Sequence, residues 1–335
     1  MNKKSVLANL LFKRLRMVVL PLCRRIRPDY LSVLAYHRVF TPPGPDYPFA
    51  SDTISASVEQ FEAQLKFVNK RFNVINFEIL SDILDAGEAV PRNSLIITFD
   101  DGYADNYTIA FNLLKKYGLS ATVFISTAFV ESGKPFWFDE VVYRINRMQS
   151  PMLQLSDHQW FINEDNRGKV RAEIFEVLRN VPNTQRLLMM KELEDQSEVN
   201  ICPEDFELIR PLTKQEVKAM SQEGIEIGSH TASHPYLSNQ TDDEAAFELA
   251  ESKKTIEDWT EKEVKSVAYP GGSYEGRIMK IARDCGYRFG IAYDHGTRSF
   301  DRNRCFDIPR LHVELETDEP LFVGGLMLPW CFARL

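Results

Sequence analysis

Two short stretches of this chain carry side chains able to do chemistry. In SLIITFDDGYADNY (94–107), an apolar, β-branched run ends on two adjacent carboxylates, Asp100 and Asp101, and a glycine. In GSHTASHP (228–235), which follows the strand-like IEIG, His230 and His234 stand four residues apart. Neighbouring carboxylates repel unless a cation lies beside them. On a helical turn, a four-residue spacing puts two imidazoles on one face, where they can grip one ion. Two neutral imidazoles and one carboxylate form a three-ligand set with open positions, the pattern of a catalytic divalent metal, commonly zinc. One aspartate of the pair would then ligate, and the cation would keep its neighbour ionised as a general base. Adjacent strand residues point opposite ways, so separate tasks for the two are natural. An isolated Asp-Asp-Gly is more often a turn. The paired histidines, in a chain with only six, shift that balance.

These groups need a scaffold, and the pattern supplies one. From residue 31, short β-rich runs (30–37, 72–76, 94–99, 121–126, 225–228, 265–269, 289–293, 307–313) alternate with amphipathic segments (57–70, 105–117, 214–223, 242–259, 275–285). Strands alternating with helices predict βα units around a mostly parallel sheet or barrel. Gly118 and Gly286 sit where helices end and strands begin, as C-cap glycines do. Residues 134–212 break the rhythm with charged, helix-prone sequence and no convincing strand, which predicts a helical insertion at the barrel rim. The expected organisation is therefore a segment 1–30, a barrel from 31–133 and 213–335, and the insertion 134–212. TPPGPDYPFASDT (41–53) reads as a Pro-rich loop.

The net charge of −8 argues against general affinity for nucleic acid, but it is unevenly spread. Residues 1–30 carry eight Lys or Arg against the single acid Asp29, with Leu7, Leu11, Leu15 and Val18 on one helical face. That pattern suits a membrane-surface helix, a helix packed on its own domain, or an uncleaved export segment. The expected location is cytoplasmic, peripheral at the inner membrane face through residues 1–30, with export left open. Five scattered cysteines without C-x-x-C spacing form neither a disulfide framework nor a zinc finger.

TFDDGY and SHTASHP resemble the first two motifs of the polysaccharide deacetylase family, the NodB-homology or carbohydrate esterase family 4 domain, over about residues 31–133 and 213–320. The resemblance implies a distorted (β/α) barrel of about seven parallel strands. It also implies metal-dependent hydrolysis of an N-acyl group, usually acetyl, on an amino-sugar glycan such as a surface or exopolysaccharide. Carried over residue by residue, Asp100 matches the general base, and Asp101, His230 and His234 match the ligands of a divalent cation, with Zn2+ expected. The third family motif, Arg-x-Pro-aromatic, corresponds to AYPGGSY (268–274). Here Ala268 replaces the arginine and Gly271 the aromatic, whose backbone N–H could serve an oxyanion. The missing arginine normally orients the base. Arg310, in IPRLH, is the candidate replacement, its alternative being a surface salt bridge.

The family's closing strand ends in Leu-x-His, whose histidine acts as acid. RLHV offers His312. VLAYH offers His37, which is preferred because members beginning with a strand-Tyr-His element look circularly permuted. His158 and His295 are expected to face solvent. PFWFDE (135–140) reads as a hydrophobic anchor for the insertion or as a platform for sugar stacking. Two further readings stay open: a deacylase or deformylase of a lipid-linked amino sugar, and a non-catalytic carbohydrate-binding member, for which the absent arginine speaks.

Overall fold

A computed structural model describes residues 30–42, 44 and 47–327. Seven parallel strands close into a barrel: β1 (Tyr30–Tyr36), β2 (Ser94–Phe99), β3 (Thr122–Ile125), β4 (Glu226–Ser229), β5 (Ser266–Ala268), β6 (Phe289–His295) and β7 (Ile308–His312). Strands β1 and β2 pair from Ser32↔Leu95 to Tyr36↔Phe99, and Leu34↔Leu311 joins β1 to β7. A short strand, Asn73–Ile75, lies beside the first half of β2, and Arg298–Ser299 pairs antiparallel with the start of β1. All six residues of β2 are buried, so its two covered faces read in sequence as one unbroken apolar run rather than an alternation.

Helices Val58–Asn69, Lys214–Gln222, Asp242–Thr260 and Gly276–Asp284 surround the ring, within two residues of their predicted bounds. Ser57, Thr213 and Thr241 each start one with a capping box, the local signal that makes such boundaries legible. Gly118 follows Tyr117 in the left-handed region (φ +62°), where a helix must stop and turn back towards a strand. One outer helix, Phe77–Asp85, is not foreseen by the sequence pattern. Its N-terminus depends on a residue far along the chain: Glu226 accepts hydrogen bonds from the N–H groups of Phe77 (2.7 Å) and Glu78 (3.1 Å). The same carboxylate accepts from the hydroxyls of Thr122 (2.8 Å) and Ser266 (2.9 Å), tying three strand starts together at the barrel floor.

The 134–212 segment holds α1 (Trp137–Arg147), α2 (Arg167–Asn180) and α3 (Asn183–Ser197). It also holds an antiparallel hairpin, Met152–Leu155 with His158–Phe161, which corrects the expectation of no strand. Leu153, Leu155 and Trp160 point inward by simple alternation, and the hairpin closes a separate apolar core with Val141, Ile145 and Ile174. That period-two signal is only four residues long on each strand, too short to stand out among flanking helices. His295 terminates β6 instead of lying in a loop.

The expected helix within residues 1–30, Cys23, Cys331, part of the 41–53 loop and the end of the 213–335 segment fall outside the described residues. Among those described, Cys202, Cys285 and Cys305 are free thiols, and no helix is long and apolar enough to cross a membrane. Replacing Glu226 by Leu strands two helix N–H groups and two hydroxyls without their acceptor. Thermal denaturation is expected to show a loss of about 3 kcal/mol, whereas Glu226→Gln keeps part of the network and loses less.

Candidate metal centre and active-site cleft

The C-terminal ends of the strands carry the reactive groups. Strand β1 runs into His37, β2 into Asp100 and Asp101, β4 into His230, and β5 is followed two residues later by Pro270. Parallel barrels gather side chains from many strands at this end. His37, Asp100, Asp101, His230, His234 and Gly271 all line one cleft of about 330 Å3.

Asp101 Oδ1 lies 3.5 Å from His230 Nε2 and 3.4 Å from His234 Nε2. All three residues are buried, and their ligating atoms fall within 4.8 Å of one another. Two ligand atoms of one tetrahedral ion of the zinc type stand about 3.4 Å apart, the separation of Asp101 Oδ1 from each imidazole nitrogen. The donor set therefore fits a divalent cation. His230 Nδ1 donates to the Ala268 carbonyl at 2.8 Å, which leaves the Nε2 lone pair facing Asp101.

The two histidines meet by a route that the spacing did not predict. Residues 230–234 form a folded loop, with Thr231 (φ +67°) and His234 (φ +57°) in the left-handed region, and no helical turn. Asp101 shares that conformation (φ +73°). Each such non-glycine residue stores about 1 kcal/mol or more of strain, so the surroundings must hold it. Ser126 Oγ donates to the His230 carbonyl (2.9 Å), Ala128 N–H to the Ala232 carbonyl (2.8 Å), and His234 N–H to Thr231 Oγ1 (3.1 Å).

Asp100 has a different partner. Arg310 Nη1 and Nη2 donate to its two oxygens at 2.7 Å each, a bidentate pair. Arg310 is fully buried, which removes the surface salt-bridge reading. It also donates to the Ala292 carbonyl (3.1 Å) and Thr98 Oγ1 (3.3 Å). Burial pushes the Asp100 carboxyl up, but the Arg310 charge, helped by His230, outweighs it and holds Asp100 at about 2. Burial likewise acts on Asp101, and the neighbouring imidazoles of His230 and His234 bring it well below the usual carboxylate range.

The two candidate acids separate in space. His37 sits on the cleft, its N–H bonded to Ser55 Oγ (2.9 Å) and its carbonyl to Asn106 Nδ2 (2.9 Å). His312 lies off it, in a neighbouring cavity with His295 and Leu311. Its Nε2 donates to the Tyr293 carbonyl at 2.7 Å, and burial followed by the Arg310 charge pulls its pKa down to about 3. A ring in that state is neutral near pH 7 and holds no spare proton to give.

Sequence reasoning missed much of the cleft wall: Phe175 and Arg179 reach it from the insertion beside Trp137 and Phe138 of PFWFDE, and Tyr236 and Tyr293 reach it from the barrel. PFWFDE divides its labour: Phe136 is fully buried, Trp137 and Phe138 line the cleft, and Asp139 accepts from the Tyr103 hydroxyl at 2.6 Å. Gly271 adopts φ +57° under the Tyr236 ring, where a Cβ would come within 2.5 Å of a ring carbon. Arg186 of α3 was also missed. Almost wholly buried, it donates to the carbonyls of His234 (2.8 Å) and Ser233 (3.0 Å). No local pattern distinguishes it from the solvated arginines around it.

A closed parallel barrel with an Asp-His-His cluster at its C-terminal mouth defines the class: an α/β barrel protein built to hold a divalent cation. The family model for polysaccharide deacetylase matches residues 87–290, and the chain belongs to that family. It is similar to YxkH of Bacillus subtilis (strain 168), a provisionally named polysaccharide deacetylase, at 23% identity over 82% of this chain and 69% of that one. A peptidoglycan-N-acetylglucosamine deacetylase of Bacillus cereus is 28% identical over 32% of this chain and 57% of its own length. Among solved structures, the Streptococcus pyogenes deacetylase PplD in complex with acetate superposes with a TM-score of 0.61 at 20% identity, covering 90% of this chain and all of that one. A de-N-acetylase from Aggregatibacter actinomycetemcomitans gives 0.57 at 15% identity, over 89% of this chain and all of its own. At these identities the likeness to solved structures shows a shared fold.

Because Arg186 braces His234, one of the three candidate ligands, in a strained conformation, Arg186→Ala is expected to weaken divalent-cation affinity by about tenfold. Competition with a chromophoric chelator measures this. Arg186→Lys, which keeps one of the two carbonyl contacts, is expected to fall between.

Proposed function

We propose that this protein is a metal-dependent N-deacetylase of an amino-sugar glycan, with Zn2+ as its cation. The observation that carries this reading is the Asp101–His230–His234 cluster standing beside a second carboxylate, Asp100, that a buried guanidinium keeps ionised. Two imidazoles and one carboxylate suit zinc among the divalent ions and leave positions open for water and substrate. The name of the Bacillus cereus relative supports an N-acetylated amino sugar as the substrate class. Residues 31–133 and 213–335 are taken as the catalytic barrel, and 134–212 as the insertion that shapes its entrance.

When bound by Asp101, His230 and His234, the cation supplies Lewis-acid polarisation of the acyl oxygen and an acidified water. Asp100 takes the proton of the attacking water. It is a weak base in absolute terms, and its advantage is position and permanent charge, both set by Arg310. Gly271, in its left-handed turn on the cleft, offers its backbone N–H to the oxyanion. His37 donates a proton to the departing amine, a poor leaving group unless protonated. The carbohydrate-binding alternative rested on the missing arginine at Ala268. The bidentate Arg310–Asp100 pair argues against it, because a guanidinium is present on the base by another route.

Acetate release from N-acetylchitotetraose by the metal-loaded protein tests the reading. Asp100→Asn is expected to lower turnover by at least about 10^3-fold while retaining the cation, and His234→Ala to lose both. An Asn variant that still turns over at the wild-type rate would remove Asp100 as the base. Removing the guanidinium leaves a buried carboxyl without its counter-charge, so Arg310→Gln raises the Asp100 pKa from about 2. Below the raised value the carboxyl is protonated and cannot accept a proton. The kcat/KM profile of Arg310→Gln is therefore expected to fall on its acid side at a higher pH than that of the wild type, whose Asp100 stays ionised down to about pH 2.

A further inference from the structure

The insertion presents a polar pair to the cleft that the hydrolytic mechanism does not use. Phe175 and Arg179 lie one turn apart on α2, and both line the cleft that contains Asp100 and Asp101. Arg179 is exposed there. The other arginines of the insertion are engaged elsewhere: Arg144 with Glu140, Arg147 with Asp205, Arg167 with two backbone carbonyls, Arg171 with Asn146, Arg186 with the His234 loop, and Arg210 with Glu216. Arg179 instead stands over the Phe175 ring (5.6 Å) and beside the Tyr236 hydroxyl, with no carboxylate partner among the described residues. Asn239 Nδ2 donates to its carbonyl at 2.6 Å, so the end of α2 that carries it is tied to the barrel.

A second observation falls on the same wall. Trp137, only 6% exposed, lines the cleft and packs edge-on against Phe175 with centroids 5.8 Å apart. Its indole N–H is buried without an acceptor among the described residues. A buried donor left unpaired is uncommon and costs free energy unless an acceptor arrives. A guanidinium without a carboxylate partner and an indole donor without an acceptor, joined by one phenyl ring, both call for acceptor oxygens, and the guanidinium calls for negative charge on them. The carboxylates of Asp100 and Asp101 cannot meet that demand, because Arg310 and the two imidazoles already hold them.

We propose that Arg179 and Trp137, with the Phe175 and Tyr236 rings as walls, form a subsite for an anionic substituent of the substrate glycan. The substituent is a carboxylate or phosphate close to the N-acyl amino sugar. The inference rests on the proposed deacetylase reading for the identity of the ligand as a glycan, and it adds the sign of the glycan's charge. Arg suits either group because its planar fork meets two oxygens at once. Neutral chitin-like chains then fill the aromatic part of the cleft but leave the guanidinium without a counter-charge.

The test measures binding separately from hydrolysis. In the full-length, metal-loaded chain carrying Asp100→Asn, calorimetry compares a hyaluronan tetrasaccharide (carboxylate) with N-acetylchitotetraose (neutral). It also compares N-acetylglucosamine 6-phosphate with N-acetylglucosamine. At least one anionic probe is expected to bind about tenfold tighter than its neutral counterpart, and the arm that does so identifies the group. Adding Arg179→Ala is expected to abolish that preference, Arg179→Lys to keep part of it, and Trp137→Phe, which keeps the ring but loses the N–H, to reduce it. An absent preference, or one that survives Arg179→Ala, overturns the subsite. Acetate release by the wild-type chain is scored separately. If no probe releases acetate yet the Arg179-dependent preference persists, the deacetylase reading falls and the anion subsite stands.

Discussion

Two ionised carboxylates, adjacent in the chain and both buried, are the constraint around which this structure is arranged. Desolvating one such group costs several kcal/mol in a real protein, and two in contact add their repulsion. Asp100 and Asp101 each meet separate partners. Arg310 meets Asp100 from within β7, and the imidazoles of His230 and His234 meet Asp101 from the loop after β4. The separate tasks proposed for the two carboxylates fit that geometry. A carboxylate locked into a bidentate guanidinium pair has few lone pairs left for a cation, whereas one flanked by neutral imidazole nitrogens forms a coordination set with them.

The origin of the guanidinium is the most informative departure from the family pattern. The motif after β5 ordinarily supplies an arginine there, and this chain has Ala268. Its carbonyl fixes the tautomer of His230, and its small side chain leaves room inside the ring. The positive charge comes instead from a strand that pairs with both β1 and β6. In a closed barrel, interior side chains from several strands reach the same layer, so a charge can change its source strand without changing its position.

The insertion is tied to the centre by buried polar contacts from two sides. On one, Arg186 holds the loop that carries His234. On the other, Arg38 after β1 pairs with Asp105 (2.8 Å) and lies over the Tyr103 ring (4.4 Å), and Tyr103 in turn donates to Asp139 of α1. Burial raises Asp139 to about 7 despite that bond. Its ionised form is therefore disfavoured in the fold, and its contribution to stability diminishes as pH rises from about 4 to 7. Such contacts make the rim segment a wall of the active cleft as well as a decoration of the barrel.

The sequence by itself determined the alternation of strands and helices, the capped helix starts at Ser57, Thr213 and Thr241, and the two motifs that identify the family. Each of these is written in residues close together in the chain, where period, cap chemistry and spacing act directly. Local reading failed where a contact joined distant segments. It assigned His230 and His234 to a helical turn, although strained loop residues bring them together. It overlooked the helix capped by Glu226 and left His37 and His312 as rivals. The short inserted hairpin and the roles of Arg186 and Arg179 were likewise beyond it. Only the tertiary structure shows where these side chains lie and what they touch, because burial, counter-charge and hydrogen-bond partners depend on what lies across the barrel, more than 200 residues away for Asp100 and Arg310.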